Sequence, residues 1–203
     1  MHKGLFITLE GVDGVGKTTQ ALLLKTRLEQ KGQEVLHTFE PGGTALGSRI
    51  RQLLLDPNHA ELSSMTEILL YAADRAQHVH EQVLPALKAG KTVLCERFVD
   101  SSLAYQGYGL GLDLDAIRAV NHWATGGLVP DLTIYLDADP AECLARTKKD
   151  RIAQRTLDYY GRVRAGFLAI AQAEPKRFKV IPASGTLEEV ASRVLRAVEG
   201  EVL

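Results

Sequence analysis

The sequence predicts an α/β fold of the P-loop NTPase kind, with a parallel central sheet and helices on both faces. Short apolar runs alternate with longer segments of helical period, and the first run leads straight into a glycine-rich loop at the head of a helix. No repeat, low-complexity tract or linker divides the chain, so residues 1–203 read as a single domain.

The elements follow in order. Leu5 to Glu10 is a short apolar strand. Residues 17 to 31 read as a helix with Ala21, Leu24 and Leu28 on one face, and Gly32 ends it. Glu34 to Phe39 is a second strand. Residues 45 to 55 and 63 to 89 read as helices, the second of them long. Thr92 to Glu96 and Leu132 to Asp137 are further strands, and Pro140 opens a helix at its first turn. Residues 156 to 174 form a helix, Phe178 to Ile181 a last strand, and 186 to 199 a closing helix. In such sheets ligands bind beyond the carboxyl ends of the strands, so chemistry is expected just after each one.

Bulk properties exclude several classes. The chain has 203 residues, 45% of them hydrophobic and 24% charged, with 24 basic against 25 acidic side chains. A net charge of -1 argues against a nucleic-acid or membrane-surface protein. No stretch approaches the roughly 18 apolar residues of a membrane span, and Leu5–Leu9 is too short for a secretory signal. Two cysteines, Cys95 and Cys143, give no disulfide framework, and a reduced cytoplasmic location is expected. The six histidines form no zinc-ligand pattern.

After the first strand comes Gly11-Val12-Asp13-Gly14-Val15-Gly16-Lys17-Thr18, a complete G-x-x-x-x-G-K-T between strand and helix. Glycines let the backbone turn tightly and aim its N–H groups at one point, and the helix adds its positive dipole end. Lys17 can reach the β- and γ-phosphates of a nucleoside triphosphate, and the Thr18 hydroxyl can bind Mg²⁺. The loop alone does not reveal the acceptor.

Four further blocks bear on the acceptor. They are Glu40-Pro41-Gly42-Gly43-Thr44, Tyr71-Ala72-Ala73-Asp74-Arg75-Ala76-Gln77, Glu96-Arg97-Phe98, and Asp100-Ser101-Ser102-Leu103-Ala104-Tyr105-Gln106-Gly107. Tyr71 and Arg75 lie four apart on a helix and share a face, where a ring and a guanidinium can hold a base by stacking and hydrogen bonds. Spacing alone favours the plainer reading, a core tyrosine beside a surface arginine. Arg97, beyond a strand end, can clamp a phosphoryl group in transit.

With the loop Glu10–Gln20, these blocks resemble the thymidylate kinase family from about residue 5 to about residue 182. The resemblance implies transfer of a phosphoryl group from ATP to dTMP with Mg²⁺, in a homodimer. It implies that Tyr71 stacks on thymine, that Arg75 bonds a thymine carbonyl, and that Tyr105 and Gln106, which fall in a loop or short helix after the third strand, lie near the sugar and base. It places Asp13 near the 3′-hydroxyl or the metal shell, with Glu40 and Ser101 among the acceptor contacts and Glu96 beside Mg²⁺. The chain departs from the family pattern at Phe39 for arginine, Glu96 for aspartate and Ala153 for glutamate, and Arg51 is a possible replacement for the missing arginine. The rival readings are a kinase for another nucleoside monophosphate and a nucleotide-binding switch.

The stretch 146–155 carries Arg146, Lys148, Lys149, Arg151 and Arg155 against Asp150 alone. A mobile basic lid suits phosphoryl transfer, though a solvated charge run has the same composition. The phosphate loop has no arginine, which resembles the family's bacterial type with basic residues in the lid. Arg151, oriented by Asp150, is the expected catalytic arginine there.

Overall fold

The structure is a computed structural model describing residues 4–146 and 150–202. Strands β1 (Phe6–Glu10), β2 (Val35–Phe39), β3 (Thr92–Glu96), β4 (Leu132–Asp137) and β5 (Phe178–Pro182) form one sheet in the order β2-β3-β1-β4-β5, with every pairing parallel. Strand alternation sends Ile7, Leu9, Leu132, Ile134 and Leu136 to one face of the sheet, in a cluster with Ala21, Leu24 and Leu28 of α1 (Lys17–Gln30) and Val190, Val194 and Val198 of α9 (Leu187–Val202). On the other face lie Thr8 and Thr133, whose hydroxyls bond at 2.9 Å.

That second face carries the remaining helices. The long helix expected over 63 to 89 is present as α3 (Ser64–His78), a π-helical turn Val79–Val83, and α4 (Leu84–Lys88). After β3 the chain forms α5 (Val99–Ser102) and continues as a π-helical stretch, Leu103–Gly109. A short loop or helix was expected there. α2 (Ala45–Leu55) packs on α3, and α7 (Pro140–Leu144) leads toward α8 (Leu157–Ala173).

One helix was not among the expected elements: α6 (Leu114–Thr125), capped by Asp113 and closed by Gly126 in the left-handed conformation. Its buried positions are Ile117, Asn121 and Thr125, and Leu114 and Val120 pack against the core beside Ile117, an amphipathic pattern that was present in the sequence and went unread. Asn121 is inside because it accepts a hydrogen bond from buried Arg75. No helix of the described residues is long and apolar enough to cross a membrane.

Candidate active site

β1 and β3 are neighbours, so the phosphate loop and the Glu96-Arg97 segment emerge side by side at the carboxyl end of the sheet. In the loop Gly11, Gly14 and Gly16 have φ of 145°, 80° and 102°, values that glycine tolerates and L side chains resist. Gly16 starts α1 without any side-chain cap, leaving the first-turn N–H groups pointed outward for an anion. Lys17 Nζ donates to the carbonyls of Gly11 (3.1 Å) and Val12 (2.9 Å). Burial, and then the nearby Arg97 charge, lower its pKa to about 8.

Thr18 Oγ1 donates to Glu96 Oε2 at 2.6 Å, and His37 Nε2 lies 2.9 Å from Glu96 Oε1. Burial opposes ionisation of Glu96, yet the hydrogen bonds from His37 and Thr18 outweigh it and hold its pKa below the usual value. A hydroxyl and an ionised carboxylate side by side are hard oxygen donors of the kind a magnesium ion takes.

Arg97 has φ of 66°, in the left-handed region, so the chain turns sharply after β3 and brings the guanidinium back over the phosphate loop. Nη1 donates to Gly11 O (2.9 Å) and Ser101 Oγ (3.2 Å), and Nη2 to Asp13 Oδ1 (2.7 Å) and Tyr105 Oη (3.0 Å). For Asp13 burial again raises the pKa, but Arg97 and Lys17 prevail and bring it to about 2. Glu10, at the end of β1, accepts from Phe98 N (2.8 Å) and Ser101 Oγ (2.5 Å) and so pins the start of α5. Burial and then the Asp100 charge push its pKa up to about 7.

Beside this charged group opens a cavity of about 540 Å³, counting its open mouth. All eight residues expected at the acceptor line it: Asp13, Glu40, Tyr71, Arg75, Arg97, Ser101, Tyr105 and Gln106. Arg51 is there too, with Nη1 on Pro41 O at 2.7 Å, next to exposed Phe39. Tyr105 is held edge-on among Tyr159, Tyr160 and Phe167.

Arg75 is not the exposed arginine that its spacing also allowed. It is 2% accessible, and its Nε donates to Glu40 Oε2 (2.7 Å), its Nη1 to Ser102 Oγ (3.0 Å) and Asn121 Oδ1, and its Nη2 to Phe98 O (3.0 Å). Glu40 also binds His78 Nδ1 at 2.8 Å. Breaking such a buried pair commonly costs about 3–5 kcal/mol, so Arg75 supports the fold as well as lining the cavity.

The basic stretch differs in placement from what the sequence led us to expect. Arg151 makes no described contact with the phosphate loop. Its Nε donates to Leu54 O (2.7 Å) and its Nη2 to Glu67 Oε2 (2.7 Å). Asp150 does not orient it, because Asp150 Oδ1 accepts the N–H of Ala153. Arg155 Nη2 meets the same Glu67 oxygen at 2.6 Å. The physical reason is Glu67, a carboxylate 1% accessible that requires counter-charge. Lys148 and Lys149 lie outside the described residues. Glu67, Glu10 and His37 were all missed by sequence reasoning. For Glu67 a signal existed: it stands one helical turn before Tyr71, on the face that Tyr71 shares with Arg75.

Comparison with known proteins joins this geometry to a family. The family described as thymidylate kinase matches residues 9–194. A thymidylate kinase of Synechococcus sp. (strain JA-2-3B'a(2-13)) is 56% identical over 198 residues, covering 96% of this chain and 94% of that protein. One of Pelotomaculum thermopropionicum is 52% identical over 206 residues, covering 99% and 95%. The crystal structure of thymidylate kinase from Ehrlichia chaffeensis superposes with a TM-score of 0.81 at 36% identity, over 97% of this chain and 99% of that one. With a phosphate loop and a neighbouring cavity at the carboxyl end of the sheet, and relatives that match nearly end to end, the chain belongs to the thymidylate kinase family.

Proposed function

We infer that the chain is a thymidylate kinase, an ATP-dependent enzyme that transfers the γ-phosphoryl group of ATP to dTMP and yields ADP and dTDP. The observation that carries this reading from the chain's own geometry is the single cavity in which Tyr71, Arg75 and Gln106 stand near Arg97 and the phosphate loop. The Tyr71 ring stacks on the base, and Arg75 and Gln106 face its polar edge. Tyr105 and Asp13 flank the sugar, and Ser101 lies beside the phosphate end.

Catalysis is by positioning and charge, with no covalent enzyme intermediate. Lys17 exchanges its loop carbonyls for the β- and γ-phosphate oxygens, and the Arg97 guanidinium faces the phosphoryl group as it passes. Thr18 and Glu96 would hold Mg²⁺, which when bound neutralises charge on the donor phosphates. For Arg151 to act on phosphates, its guanidinium must first leave Glu67.

The test is ADP release across nucleoside monophosphates, in Mg²⁺ and again with chelator. dTMP should be used best, dUMP less well, AMP, GMP and CMP hardly at all, and chelation should stop turnover. AMP outperforming dTMP would overturn the acceptor assignment.

The chain acts as one domain in the cytoplasm, a reading supported by its single sheet and by two cysteines that are free and buried. It pairs with a second copy through the α2–α3 face. The support is a run of exposed apolar side chains there: Leu46 and Leu53 on α2, and Met65 and Leu69 on α3. Sedimentation should give twice the chain mass for wild type and a marked shift to monomer for Leu69→Glu. A monomeric wild type would reject the pairing.

A further inference from the structure

Glu67 occupies a position that the phosphoryl-transfer reading leaves unused. Its Oε1 accepts from Gln106 Nε2 at 2.9 Å, while its Oε2 accepts from both Arg151 and Arg155. Arg155 is itself fixed, with Nη1 donating to Tyr159 Oη at 2.5 Å and its guanidinium carbon 4.7 Å from the Tyr159 ring. Tyr159 in turn donates to the backbone carbonyl of Tyr105 at 3.1 Å, so the chain of contacts ends beside Gln106.

A primary amide has two ends of opposite character, and Gln106 could present either to a ligand. An ionised carboxylate only accepts, so Glu67 takes the NH₂ end. The Gln106 carbonyl is then the free end, in a side chain that lines the acceptor cavity. Among the described residues that carbonyl has no hydrogen-bond partner of its own, whereas the amide nitrogen is committed. A carbonyl in a largely dry wall welcomes an N–H and penalises a lone pair. Thymine and uracil carry a hydrogen on N3, and cytosine carries a lone pair there.

We propose that Glu67 is a positioning residue for base selection: it holds the Gln106 amide so that its carbonyl faces the cavity and admits pyrimidines bearing an N3 hydrogen. Arg151 and Arg155 hold the buried carboxylate in place through its Oε2, so the basic stretch serves the acceptor end of the site as well. The proposal rests on the reading that a pyrimidine sits against Tyr71 and Gln106.

The experiment measures kcat and KM for dTMP and dCMP in wild type and in Glu67→Gln. The variant keeps the shape but can donate or accept, which frees the Gln106 amide to turn over. The kcat/KM ratio of dTMP to dCMP should fall about tenfold, with the loss appearing in KM for dTMP and kcat staying within about threefold, as expected for a lost ground-state contact. Should Glu67→Gln fail to fold, Glu67→Asp replaces it. Its shorter carboxylate keeps the charge for the arginines but falls short of Gln106, and the ratio should again drop by about threefold or more. A purely structural carboxylate would depress both nucleotides equally, and an unchanged ratio in the variant that folds overturns the proposal. Failure of the underlying reading looks different: wild type itself would then show no preference for dTMP.

Discussion

Lys17→Ala should reduce kcat by about 10³-fold or more while the protein stays folded, a loss at least that of a removed oxyanion donor. Among the described residues Lys17 Nζ donates to the Gly11 and Val12 carbonyls alone, and each such bond contributes on the order of 1 kcal/mol to stability. Against this stands the cost of burying the ammonium, visible in a pKa lowered to about 8. The two effects oppose one another, so truncation should shift the melting temperature little. α1 keeps its packing through Ala21, Leu24 and Leu28. Within the phosphate loop nothing else can replace the charge, because the loop has no arginine. Circular dichroism, thermal melting and steady-state assays would be run together. A folded variant with near-normal kcat would show that the loop does not hold the transferred phosphoryl group.

Arg97→Ala should lower kcat by about 10²-fold, since a positioned charge is most valuable where charge develops. The guanidinium is already oriented by Asp13, Tyr105, Ser101 and the Gly11 carbonyl, so little reorganisation remains at the moment of transfer. Backbone strain complicates the reading, because alanine would inherit the φ of 66°. Arg97→Gly removes the same charge and relieves the strain. If charge is what matters, both variants lose kcat alike, and glycine is the more stable of the two. A change confined to KM for dTMP would make Arg97 a binding group that does not distinguish ground state from transition state.

Much of this site was legible in the sequence because its signals are local. Strand, glycine loop and helix are contiguous from Phe6 to Gln30, and the cavity-lining residues fall after strands or one helical turn apart. What escaped was the pairing of distant side chains. Glu67 and Arg151 are separated by 84 positions, and His37 and Glu96 by 59. No spacing rule links them. Arg151 was expected among phosphates because its composition suits them, but composition does not reveal a buried carboxylate competing for the same cation. α6 is different: Leu114, Ile117 and Val120 recur at helical spacing and were legible, and only the burial of Asn121, which serves Arg75 46 positions away, had no local signal.

The left-handed turn at Arg97 also acts as a ruler. Glu96 joins the donor-side pair with Thr18, and Arg97 faces the acceptor cavity, yet only one peptide link separates them. In-line transfer requires charges at the two ends of the reaction path to keep a set separation. A span made of one covalent link does not stretch when loops breathe, and it has no slack in which an inserted residue could hide. Substrates can come and go and surrounding segments can move, but the two side chains start from neighbouring Cα atoms, and their hydrogen bonds to Thr18 and His37 on one side and to Gly11 and Asp13 on the other set where the charges end.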